Sequence, residues 1–139
     1  MNATNSSGGR MWLNVVLWLA QVALAAMFGF AGFMKVATPL ATLAQNPDAA
    51  WIKDMGPLVR FIGVAELLGA VGVVLPALTR ILPRLTPLAA LGIALIMALA
   101  TVFHLFRAEF PFIVPSIVLG ALAVFVAWGR SKAVPIAPR

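Results

Sequence analysis

Apolar and polar positions fall in long blocks along this chain, not in short alternations. Residues 12–34, 61–78, 85–105 and 112–128 form apolar runs of 23, 18, 21 and 17 residues. At 1.5 Å per residue, a helix needs roughly 20 residues to cross a ~30 Å hydrocarbon layer. Each run is therefore predicted to be a transmembrane helix. Barrel strands are excluded, because they alternate apolar and polar residues over about ten positions. The expected fold class is all-α, a four-transmembrane-helix bundle with short interfacial helices in the first extracytoplasmic loop.

Composition agrees with a lipid solvent. Of the 139 residues 63% are hydrophobic and 10% charged, too few polar side chains to coat a water-soluble domain. The chain has no cysteine, which removes disulfides, iron–sulfur clusters and thiol redox chemistry within it. A single histidine removes any site needing two imidazoles. Ala23-Leu24-Ala25 has the small-residue pattern of a signal-peptide cleavage site, but the apolar run continues to Met34, so a retained span is expected. Three regions follow: a polar, disordered tail over 1–11, a membrane domain over 12–130 and a C-terminal tail over 131–139. Asn2 and Asn5 head glycosylation-type sequons, relevant only if that end reaches a glycosylating lumen.

With four spans, both termini and the middle loop share one side. That side holds Arg10, Arg80, Arg84, Arg130, Lys132 and Arg139 with no acid. The other holds Lys35, Lys53, Arg60 and Arg107, offset by Asp48, Asp54 and Glu109. The positive-inside bias places both termini in the cytoplasm and the protein in the inner (plasma) membrane. The net charge of +6 is then a topology signal and an attraction to lipid headgroups, with no aromatic–basic interleaving to suggest nucleic acid.

The loops are unequal. TRILPR and FRAEFP are tight connections, whereas residues 36–60 are long enough for structure of their own. Thr38-Pro39 and Asn46-Pro47 each read as a helix start, a capping side chain before a proline. Trp51, Ile52 and Met55 fall on one side of the second short helix, which Gly56-Pro57 ends. Such helices would lie at the outer interface over the mouth of the bundle; the alternative is a loop merely packed on the bundle.

Ionisable residues at membrane depth each need a reason to be there. Glu66 lies five residues inside the second span, with Gly63, Gly69 and Ala70 on its face. Small residues permit close helix approach, which puts Glu66 inside the bundle. Lys35 ends the first span and His104 nearly ends the third, and all three are expected to lean toward a common depth. Asn14, Gln21, Gly32 and Lys35 form a seam on the first helix, while Arg107 shares the face of His104 and Arg60 sits at the mouth. The candidate site is a polar pocket with Glu66, His104 and Lys35 as its chemical groups. Gln21, Arg60, Arg107 and Trp51 are its candidate ligand-binding residues. The bland alternatives stand beside it: interfacial cations that snorkel, and a structural Lys35–Glu66 pair. No metal site is expected, since ligands are few and Glu109 falls off the face of His104.

FAGFMK, RFIGVAELLGAVGVVLP, TPLAALGIALIMALATVFHLFRAE and AVFVAWGR resemble the DoxX-like family of small membrane proteins, over about residues 12–130. Lys35, Glu66 and His104 occupy the polar landmarks of that pattern. The resemblance implies a four-helix integral membrane protein, often associated with redox partners. One member group looks like the quinone-linked small subunit of thiosulfate oxidation, another relates to methylamine utilisation, and distant relatives assist membrane-protein assembly. The expected function is an accessory, redox-associated membrane subunit with an outward polar pocket for a small hydrophobic ligand such as a quinone. The alternatives are an assembly factor for a membrane-protein partner and a small proton-coupled transporter.

Overall fold

The computed structural model describes residues 3–139, with side chains from Ser7 onward. It is all-α: α1 (Ala3–Ala37), α2 (Leu40–Leu43), a 3-10 turn (Pro47–Lys53), α3 (Gly56–Thr79), α4 (Leu85–Phe106) and α5 (Phe110–Trp128). The α5 helix widens into a π turn over Gly129–Ala133. Among the described residues, four helices are long and apolar enough to span a membrane. The α1 helix runs back to Ala3 through the stretch read as a disordered tail. Asn2 lies outside the described residues, as does the Asn5 side chain.

The helices pack as a ring in which α1 meets α3, α3 meets α4, α4 meets α5 and α5 meets α1. Leu24, Phe28, Val73, Ile93, Ala123 and Val126 fill its centre. Large apolar side chains such as Leu68, Leu95 and Ile117 point outward, as lipid-facing positions do in a membrane bundle. Small residues decide how close the helices come. A Cβ at Gly32 would sit 2.7 Å from the Gly63 carbonyl oxygen, and one at Gly69 would sit 2.8 Å from Ile93 Cγ1.

The first loop folds onto the bundle. Ala44, Ile52 and Val59 form a second core, flanked by Leu40, Leu43 and Trp51. Asn46 caps its turn by accepting a hydrogen bond from the Asp48 N–H at 3.1 Å. Thr38 does not cap: its hydroxyl contacts Met34 Sδ at 3.8 Å, and Pro39 occupies the capping position. The short turn ends at Lys53, ahead of Gly56-Pro57, and the same dipeptide opens α3, since proline suits a first helical turn.

Ala108 has φ 55° between α4 and α5, a left-handed conformation that costs a residue with a Cβ roughly 1–2 kcal/mol. Ala108→Gly is therefore expected to stabilise the fold by about 1 kcal/mol, and Ala108→Val to destabilise it. Thermal unfolding of the two variants in one detergent checks both signs.

Candidate functional site

The close approach of α1 and α3 brings the first polar pair together. Lys35 Nζ donates to both Glu66 carboxylate oxygens, at 3.0 and 2.8 Å. The Glu66 side chain is 5% exposed and that of Lys35 31%. A Cβ at Gly63 would sit 2.8 Å from Lys35 Cβ, so the pair occupies a tight helix junction. Arg60 reaches over the end of α1, where its Nη1 donates to the Lys35 carbonyl and to the Val36 carbonyl at 2.9 Å. It closes the helix by holding carbonyls that have no partner within the helix.

His104 makes a separate cluster. Its Nδ1 donates to Glu109 Oε2 at 2.7 Å, and Arg107 Nε donates to Glu109 Oε1 at 2.7 Å. The left-handed turn at Ala108 swings Glu109 back onto His104, which helical spacing alone had placed off that face. Aromatic rings surround the imidazole. It stacks on Phe112 at 5.1 Å, meets Phe103 edge-on at 5.6 Å, and Trp51 packs against Phe103 at 4.9 Å. The Arg107 guanidinium lies 5.4 Å over the Phe103 ring. Trp51 thus ties the first loop to α4.

The three expected groups share one end of the bundle but form two clusters. Lys35 and Glu66 join at the α1/α3 contact, while His104 turns toward the residues leading into α5. Among the described residues, no three His, Cys, Asp or Glu side chains converge as metal ligands.

Gln21 belongs elsewhere. It is fully buried and about 21 Å along α1 from Lys35 at 1.5 Å per residue. Its amide donates to the Val73 carbonyl at 2.5 Å and accepts from Arg130 Nε at 2.6 Å. Arg130 Nη1 also donates to Asn14 Oδ1 at 2.7 Å, and the guanidinium lies 5.3 Å over the Trp18 ring. The Asn14–Gln21 half of the seam therefore grips an arginine from α5's end, and only its Gly32–Lys35 half faces Glu66.

The family's sequence model matches residues 19–126, a stretch that holds Lys35, Glu66 and His104. The chain belongs to the DoxX-like family. No curated protein and no solved structure gives a significant match. In this DoxX-like chain the matched stretch holds α3 and α4 whole, α1 from Leu19 onward, α5 as far as Val126 and the Lys35–Glu66 contact, while Arg130 lies past it. Sequence reading took Arg130 as a topology cation. Its clue was the polar set Asn14, Trp18 and Gln21 at helical spacing on α1, with no acid on that side to pair with an arginine.

Burial works to raise the Glu109 carboxyl, but hydrogen bonds and charge from His104 and Arg107 outweigh it and hold the group below its ordinary value of 4.5. A carboxyl lowered by folding contributes stability above its unfolded value, and that contribution disappears as pH falls through the folded value. Stability should thus decline as pH drops below about 4.5. Glu109→Gln should flatten that slope in thermal unfolding measured across the acidic range.

Proposed function

We propose that this protein is an accessory, redox-associated membrane subunit whose loop end receives a small hydrophobic ligand of the quinone class. It resides in the inner (plasma) membrane, with both termini in the cytoplasm. One observation carries the reading: two ionisable clusters and a run of aromatic rings lie at the same end, and Lys35 and His104 are only partly covered. A quinone ring would pack on Trp51, Phe103 and Phe112. Lys35 would hold a ring carbonyl oxygen, Glu66 and His104 would exchange protons with it, and Arg60 and Arg107 would border the entrance. A redox partner would supply the electrons.

Short-chain quinone titrated into the full chain in nanodiscs tests the reading, because quinones quench tryptophan fluorescence. Saturable quenching that disappears in Trp51→Phe and weakens several-fold in His104→Ala is expected. Quenching that never saturates, or that survives loss of Trp51 unchanged, sinks it.

A second reading, an assembly factor for a membrane-protein partner, is favoured by the mutual satisfaction of Lys35 and Glu66. A pair that uses both carboxylate oxygens on one ammonium serves well as a lock between helices. Reduced partner abundance in Glu66→Gln, with quinone quenching unchanged, would favour it.

A further inference from the structure

At the end of the bundle holding the termini, a cation is buried without an acid. Arg130 is 4% exposed. Neutral amide oxygens of Gln21 and Asn14 take its Nε and Nη1, and its Nη2 is buried with no hydrogen-bond partner. Every ion pair among the described residues lies at the other end, on Glu66 or Glu109. The remaining acids, Asp48 and Asp54, belong to the first loop.

The fold goes to some length to put this guanidinium there. Gly129 lets α5 press onto α1, since a Cβ at that position would collide with the Leu17 side chain. The helix then widens into a π turn, closed by the Val134 N–H donating to the Gly129 carbonyl at 2.7 Å. Such turns recur at functional sites. Arg130 forms part of the wall of an open groove of about 530 Å³, shared with Arg10, Arg80, Trp18, Met11 and Leu78. Arg10 and Arg80 are exposed at its rim. Met11 and Leu78, 71% and 66% exposed, are lipid-facing apolar positions beside the arginines.

Burying a charge is costly unless it is paired, and an arginine fork matches the oxygens of a phosphate. Three cations, no acid and an apolar flank at headgroup depth fit an anion attached to an acyl chain better than a free one. We propose that this groove binds a phosphate group through Arg130, Arg10 and Arg80, and that the phosphate is the headgroup of an anionic phospholipid. Within the protein Nη2 has no acceptor, so the buried guanidinium keeps donor capacity that a phosphate oxygen can take up. The site is independent of the quinone reading, since it uses none of the same residues.

Reconstitution of the full chain into mixed phosphatidylglycerol–phosphatidylcholine vesicles tests it. After extraction in neutral detergent, co-purifying lipid is quantified by mass spectrometry, and thermal unfolding is followed with each lipid or inorganic phosphate added back. Several-fold enrichment of phosphatidylglycerol over its share of the vesicles is expected, with stabilisation by that lipid and none by phosphatidylcholine. Arg130→Gln should abolish the enrichment. Should that variant fail to fold, the double variant Arg10→Gln/Arg80→Gln, altered only at exposed rim positions, should still lower it several-fold. Stabilisation by inorganic phosphate without lipid enrichment would keep the anion site and reassign it to a soluble phosphate compound. Absence of both effects, or enrichment untouched in the double variant, would overturn the proposal.

Discussion

Lys35→Met is expected to cost about 3 kcal/mol, because it leaves the Glu66 carboxylate buried without its counter-charge. The figure sits at the low end for a buried pair, since the Lys35 side chain keeps 31% of its surface exposed. The effect should be lopsided. Glu66→Leu leaves a flexible ammonium near the helix end, which can turn outward toward the interface, so it should cost much less. Combining Lys35→Met with Glu66→Leu should recover most of the loss, as replacing both partners of a buried pair by apolar groups often does. Reversible unfolding in mixed micelles, run as a double-mutant cycle, reads all of these. Equal losses from the two single changes would argue against an ion pair at this junction.

Gly32→Val is expected to be the most disruptive change outside the ionisable residues. Even a single Cβ at this position would lie 2.7 Å from the Gly63 carbonyl oxygen and 3.0 Å from Leu67. The Gly63 carbonyl oxygen and the Leu67 nitrogen are backbone atoms of α3 that cannot swing aside, so α1 and α3 must separate. Overpacking of this kind costs roughly 1–3 kcal/mol, and the branched side chain should place the variant at the upper end. Because the same junction carries Lys35 and Glu66, the loss should not add to that of Lys35→Met. Gly92→Ala is the control: nothing lies within 4 Å of its added Cβ, so it should be neutral or slightly stabilising by helix propensity. Unfolding of the three variants under one condition settles the order, and a Gly32→Val protein as stable as Gly92→Ala would mean the helices do not touch there.

Much of the architecture was legible because a bilayer imposes simple rules. Backbone groups in hydrocarbon must pair within the segment, so continuous apolar length alone identifies a spanning helix. The small residues around Glu66 announced a close helix contact, and of the two groups the topology brought to that depth, Lys35 and His104, it is Lys35 that meets it. His104 was harder. Its partner Glu109 follows a left-handed residue at Ala108, a conformation an alanine does not advertise.

Length, apolar runs and the glycine-flanked glutamate by themselves determined four spanning helices and a Glu66 turned into the bundle, with Lys35 and His104 both offered as its neighbours. These depend on period and depth, which are local properties of a helix. Only the tertiary structure decided which neighbour each remaining polar group meets. It divided the expected pocket into two clusters, sent Gln21 to the opposite end, and buried Arg130, which the sequence offered only as a topology cation. The physical reason is that helical spacing specifies a residue's direction around one axis, while its partners depend on which helices adjoin and how their connecting turns reverse.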